Sequence, residues 1–330
     1  MTVHQVRWGV IGAGDVVEHK SGPALMDVPG SSITAVMRRD AARAEDFARR
    51  HGIPRWYADA DAVIDDPDVD AVYVATPPDT HAAYAIRAAE AGKPVYVEKP
   101  VARTVAECEA MITACESASV GLYVAYYRRA LPRFVAAADA VRAGRIGEVR
   151  AASIRLLRTS AGDGWRVDPQ VSGGGLFVDL GAHVLDWLDH VLGPVAEVHG
   201  DASGGPAESV VAASMRHEGG ALVTGLWDFA AAEDLDVIEL IGTAGTIRMS
   251  TFGTDAPVLT TAGPTGATTS ELTSVDPPAV QYGLVDNVVR AIRGEAEPLS
   301  TGRSALRTTR VIDAVLAGHR ARHGLTFRVT

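Results

Sequence analysis

Lys99 stands in the run Tyr96-Val97-Glu98-Lys99-Pro100, at the end of a short apolar stretch that reads as a strand. An ammonium group at a strand end is either a solvated edge charge or a donor aimed into a cleft. A second candidate lies in the run SGGGLFVDLGAHVLDWLDH, where Asp179 and His183 are four apart and share a face if the run is helical. Such a pair also arises on an ordinary solvated helix. The three residue types together suit oxidation of a secondary alcohol, in which a hydroxyl proton is removed as hydride leaves carbon. Histidine titrates in the range a base needs. Lysine can hydrogen-bond the oxygen as negative charge develops on it. Aspartate can orient the imidazole or bind a neighbouring hydroxyl. Lys99, Asp179 and His183 are therefore the candidate catalytic residues.

Hydride needs a carrier, and the chain start offers a place for one. Gly12-x-Gly14 directly follows the apolar run Val6–Ile11 and precedes a helical pattern. Two glycines there allow a tight turn and close backbone approach, and the helix start presents N–H groups to a pyrophosphate. A plain glycine turn in some other α/β protein is the alternative. Val17 occupies the third fingerprint position, where glycine or alanine is usual. The second strand ends in Met37-Arg38-Arg39 with no acid at its tip. An acid there would hold a ribose 2′-hydroxyl, whereas arginine suits a 2′-phosphate, so NADP is expected to be preferred, with NAD possible. Two solvated arginines at a helix start are the plainer reading. Thr76-Pro77-Pro78-Asp79-Thr80-His81 ends a further strand, where ligands of open parallel sheets gather, and its helix is expected to be capped by Asp79 or Thr80. The cofactor set is Gly12, Gly14, Asp15, Val16, Arg38, Arg39, Thr76, Pro77, Pro78, His81, Glu98 and Lys99. Tyr126, Arg129, Trp165 and Arg166 join Asp179 and His183 as candidate substrate-binding residues, although packing and surface charge account for the first four equally well. No metal site is expected.

These groups must be positioned by elements. Up to about Tyr127, strand-like runs alternate with helical ones such as Asp40–Gly52, which predicts an α/β domain with a parallel sheet. From about Tyr127 strands follow one another, joined by turns such as Gly219-Gly220 and Gly242–Gly245, which predicts an α+β domain with a large, open, mostly antiparallel sheet. In the helix that bears Asp179 and His183, Leu180, Val184, Leu185 and Leu188 are expected in the core. Thr260–Ser270 reads as a loose surface loop. The predicted domains are 1–126 for the dinucleotide and 127–330 for substrate and oligomer contacts. In Leu222–Ala230 both alternating faces carry large apolar groups, which predicts a homodimer or homotetramer through the second sheet.

Bulk properties agree. The chain has 330 residues, 47% apolar and 22% charged, ordinary for a globular protein of two domains. A formal net charge of −10 argues against a nucleic-acid partner. No run of about 18 apolar residues predicts a membrane span, and the start does not read as a signal peptide. Cys108 and Cys115, seven apart on one expected helix, stand too far apart to bridge. A cytoplasmic protein is expected.

In order along the chain, the Gly12-x-Gly14 turn, TPPDTH, EKP, YYRRALP, WRVDP, GGGLFVDLGAH and GTAGTIRM resemble the glucose–fructose oxidoreductase / myo-inositol dehydrogenase family. The resemblance covers nearly the whole chain. It implies an NAD(P)-dependent oxidoreductase with a Rossmann domain and an open-faced sheet domain. It also implies that Lys99, Asp179 and His183 form the catalytic group. Val17 and Arg38 depart from the family pattern, the first in the glycine turn and the second at a position often acidic. The expected reaction is hydride transfer between nicotinamide and a sugar, cyclitol or related polyhydroxy compound. A non-sugar carbonyl or dihydrodiol substrate, or a cofactor-binding regulatory protein without turnover, are the alternatives.

Overall fold

A computed structural model describes residues 5–160, 162–264 and 266–327, which fall into two compact units. The first takes residues 5–130 and 277–306, the second 131–276 and 307–327. Residues 277–306 thus pack with the first unit, whereas the sequence reading assigned all of 127–330 to one second domain.

In the first unit β1 (Val6–Ile11), β2 (Ser31–Met37), β3 (Arg55–Tyr57), β4 (Ala71–Val74), β5 (Val95–Val97) and β6 (Leu122–Val124) form one parallel sheet in the order β3-β2-β1-β4-β5-β6. Between them lie α1 (Gly22–Asp27), α2 (Ala41–His51), α3 (Ala60–Ile64), α4 (His81–Glu90) and α5 (Val105–Ser117). Crossover helices cover both faces, so β4 is buried at every residue and its sequence is a continuous apolar run. Asp40 caps α2 through its side chain, and Gly52 at φ 64° stops it. β3 and α3 escaped the sequence reading, because β3 is three residues long with none of them buried. The strand order reverses between β1 and β4, the switch point at which such sheets bind ligands.

The second unit contains α6 (Pro132–Arg142), α7 (Pro169–Ser172) and α8 (Ala182–Leu192). Its sheet is built from β7 (Val149–Leu157), β8 (Val195–Gly204), β9 (Glu208–His217), β10 (Leu222–Asp228), β11 (Leu235–Gly242), β12 (Gly245–Met249), β13 (Val258–Gly263) and β14 (Gly266–Glu271), in the order β14-β13-β12-β11-β7-β10-β9-β8. All neighbours are antiparallel except β7 with β10, because the chain leaves the sheet through α7 and α8 after β7. The expected loop at 260–270 is instead the hairpin β13–β14, with Thr265 outside the described residues. Its threonines and glycines suggested a loop by composition, but threonine is β-branched and suits an exposed edge strand. On β10, Val223 and Trp227 are buried, and Gly225 leaves room for the Trp227 ring. Leu222 and Leu226 face the other way, 47% and 39% exposed. The chain closes on α9 (Tyr282–Ile292), whose Leu284, Val285, Val288 and Val289 join the first unit's core, and α10 (Gly302–Arg322). Among the described residues no helix is long and apolar enough to cross a membrane.

Candidate active site

The turn after β1 is fixed by two glycines for different reasons. Gly12 has φ 93°, and a Cβ there would meet Thr76 and Ala75 at 2.7 and 2.9 Å. The tip of β4 therefore requires glycine at this position. A Cβ on Gly14 would meet no protein atom closer than the Gly12 carbonyl at 3.9 Å. The space in front of Gly14 is thus left open at a helix start, the place and shape a pyrophosphate needs. Asp15 is exposed, Val16 half-buried, and Val17 is buried in the core. Val17 opens a wide turn over Val17–Ser21, and Gly22 is obliged to be glycine because its Cβ would lie 2.1 Å from the Val17 carbonyl.

The backbone amides of Gly12 and Ala13 donate to the Met37 carbonyl at 3.0 and 3.1 Å, which ties the turn to the tip of β2. Beyond Met37, Arg38 is half-buried and Arg39 exposed. The next acid, Asp40, is occupied as the α2 cap, accepting from the Arg43 amide at 3.1 Å. Arg39 acts on the carboxyl of Asp79, which burial raises while Arg103, His81 and Arg39 pull it down.

Two loops at the carboxyl ends of β4 and β5 are pinned to each other. His81 is buried, its Nε2 2.7 Å from the Thr76 carbonyl and its Nδ1 3.1 Å from the Pro100 carbonyl. Burial pushes its pKa down. Both ring nitrogens thus face backbone carbonyls, and the neutral imidazole, with one N–H, donates to one of them, so His81 sits between Thr76 of one loop and Pro100 of the other. Thr80 donates its hydroxyl to Thr76 Oγ1 at 2.7 Å, and neither it nor Asp79 caps α4 by side chain. Pro77 precedes the turn and Pro78 is buried. Glu98, 6% exposed, accepts from Tyr73 Oη at 2.7 Å, Gln281 Nε2 at 2.8 Å and the Lys99 amide at 3.1 Å. Lys99 follows, half-buried. Tyr126 and Arg129, expected at the substrate, are both buried within this unit, and Arg129 donates to the Leu299 carbonyl at 2.9 Å.

In the second unit Asp179 lies in a wide turn over Phe177–Gly181 that leads into α8, and His183 is the second residue of α8. Widened turns of this kind recur at functional sites. Both side chains are buried, at 7% and 4% exposure. Arg166 Nε donates to Asp179 Oδ2 at 3.2 Å, and Trp165 lies under the guanidinium at 4.6 Å. The His183 ring stands edge-on to Phe252 at 5.7 Å. Phe252 is fixed in turn by Asp236, which accepts from the Thr251 and Phe252 amides at 2.9 and 2.7 Å. Trp165, Arg166, Asp179 and His183 are thus brought into one neighbourhood. The expected core face of α8 holds for Val184, Leu185 and Leu188, while Leu180 is only half-buried. The helix is in fact buried all round. Its acids are paired by α10, Asp189 with Arg307 at 2.7 Å and Asp186 with Thr308 at 3.4 Å.

The sequence reading missed Glu208, Gln281 and Phe252. Glu208 accepts from the Gly175 and Phe177 amides at 2.6 and 3.1 Å, holding the glycine entry to the Asp179 turn. Burial raises its pKa, against the pull of those amides. A Cβ on Gly175 would press against it at 3.1 Å. All three residues lie far from the motifs they support, and no local spacing marks them.

Comparison with known proteins agrees with this geometry. Residues 6–126 match the family model described as "Oxidoreductase family, NAD-binding Rossmann fold", and residues 134–248 match the "GFO/IDH/MocA C-terminal domain". The chain is similar to Oxidoreductase P35 of Formosa agariphila, 35% identical over 266 residues, which covers 75% of this chain and 80% of that one. It is similar to 1,5-anhydro-D-fructose reductase of Ensifer adhaerens, 29% identical over 91% of this chain and 92% of that one. Among solved structures, an aldose-aldose oxidoreductase from Caulobacter crescentus complexed with glycerol superposes with a TM-score of 0.85 at 27% identity, covering 97% and 98% of the two chains.

Proposed function

The chain belongs to the GFO/IDH/MocA family of oxidoreductases with an NAD-binding Rossmann fold, and we propose that it transfers hydride between NADP and a secondary alcohol or ketone carbon of a sugar, cyclitol or related polyhydroxy compound. The observation that carries this reading is Lys99. It is half-buried at the carboxyl end of β5, an inner strand of the sheet, on a backbone that Glu98 and His81 hold from two sides. That edge of the sheet is also where the glycine turn leaves its space open before Gly14.

When bound, the nicotinamide supplies the hydride acceptor or donor. His183 takes the hydroxyl proton in oxidation and returns it in reduction. Lys99 hydrogen-bonds the reacting oxygen and stabilises the negative charge that develops there. Asp179, oriented by Arg166, binds a neighbouring hydroxyl or holds the imidazole in place. Gly12, Gly14, Asp15, Val16, Arg38, Thr76, Pro77 and Pro78 form the cofactor side. Trp165 and Arg166 supply an aromatic and cationic wall for a substrate rich in hydroxyls. The buried, reduced thiols of Cys108 and Cys115 suit a cytoplasmic protein, and the apolar outer face of β10 suits a homo-oligomer.

A panel containing myo-inositol, D-glucose, D-xylose and 1,5-anhydro-D-fructose, each with NADP(H) and NAD(H), tests the reading by nicotinamide absorbance. Turnover on at least one polyhydroxy compound is expected. Cofactor binding without turnover on the whole panel would argue for a protein that binds but does not react.

A further inference from the structure

Gln281 lies just before α9, in the segment 277–306 that packs with the first unit after the chain has passed through the second. It is 1% exposed, and both ends of its amide are engaged. Nε2 donates to Glu98 Oε1 at 2.8 Å, and Oε1 accepts from Tyr96 Oη at 3.0 Å. Tyr73 Oη reaches the same Glu98 oxygen at 2.7 Å. The other Glu98 oxygen accepts from the Lys99 amide at 3.1 Å. Burial and the Glu98 carboxylate raise the pKa of both Tyr73 and Tyr96 well above the ordinary range, so both phenols remain donors. The result is a closed network in which a side chain remote in sequence fixes one carboxylate, and that carboxylate fixes the backbone from which Lys99 projects.

We propose that Gln281 is a positioning residue for Lys99, acting through the buried carboxylate of Glu98. The inference rests on the reading of Lys99 as a catalytic residue. A buried polar group that loses one partner shifts to find another. Glu98 would do so at the position that sets the height and direction of Lys99. A displacement of about an ångström at a reacting group can lower turnover by up to about a hundredfold. The sequence gives no hint of this contact, since Gln281 lies 183 residues from Glu98.

The test is a double-mutant cycle on the full chain, using the panel compound with the highest turnover. Gln281→Met keeps the side chain's length and removes its donor and acceptor. Alone it is expected to lower kcat by about ten- to a hundredfold, with cofactor Kd and substrate KM nearly unchanged. In a Lys99→Ala background the same substitution is expected to have little further effect, because its target is already gone. A purely structural role would lower the melting temperature and act equally in both backgrounds, and that result overturns the inference. An unchanged kcat in Gln281→Met, beside a turnover loss in Lys99→Ala, overturns this inference alone. Full turnover in Lys99→Ala overturns the catalytic reading and this inference with it. If Gln281→Met does not fold, Tyr73→Phe removes another donor to the same oxygen and is judged by the same pattern.

Discussion

At the scale of single residues, the proposed preference for NADP over NAD turns on one side chain. The tip of β2 carries Arg38 where an acid would favour a 2′-hydroxyl, Asp40 is occupied as a helix cap, and Arg39 lies within the influence of Asp79. An arginine–phosphate contact is charge-assisted, and one such contact gives about a tenfold to a hundredfold preference. NADP is therefore expected to bind more tightly than NAD, and Arg38→Asp to erase or reverse that order. Titration calorimetry of both cofactors against both proteins checks this. Equal affinities in the unaltered chain would reduce Arg38 to a surface charge.

At the scale of elements, two contacts hold the pieces that carry the chemistry. Glu208 reaches from β9 to the Gly175 and Phe177 amides and shapes the entry to the Asp179 turn. Glu208→Ala orphans two buried donors, at roughly 1–3 kcal/mol each. Urea unfolding should show that loss, and a smaller one for Glu208→Gln. Near the glycine turn, Arg50 of α2 grips Glu18 through two hydrogen bonds and, with His51, holds the Glu18 carboxyl down at about 2 against the opposing effect of burial. A depressed carboxyl stabilises the fold above its unfolded pKa, and that contribution is lost as the pH falls from about 4.5 toward 2. The pair is partly exposed, so solvent screening keeps that contribution small. The melting temperature of Glu18→Gln should lie below that of the unaltered chain near neutral pH, and the gap should close over that acid range. How legible all this was in the sequence follows from range. Apolar runs and glycine turns are local signals, so the parallel sheet, the glycine that stops α2 and the strand ends that bear Gly12, Gly14 and Lys99 could be read directly. β3 lacks a buried residue and β14 a buried face, and α3 is only five residues long, too short to show a helical period. Glu208 and Gln281 act over 31 or more residues and leave no periodic trace.

At the scale of the whole molecule, the outer face of the large sheet carries Leu222, Leu226 and Ile241, each more than a third exposed. A row of this kind on an open sheet is more than a solvated face needs. Light scattering at micromolar concentration is expected to show a dimer or tetramer. Changing Leu222 and Leu226 together to lysine should give a monomer that keeps its fold, since neither is a core residue. A monomeric unaltered chain would refute the oligomer.

The most direct test of the account is the rate of nicotinamide reduction or oxidation on the best panel compound, compared among the unaltered chain, Lys99→Ala and His183→Ala. General-base and electrostatic contributions are each about 10²–10⁴-fold in rate. Each variant should therefore lose turnover by about that factor while binding the cofactor as before. Turnover close to that of the unaltered chain in either variant would contradict the assignment of Lys99 and His183 as the groups that act on the reacting oxygen.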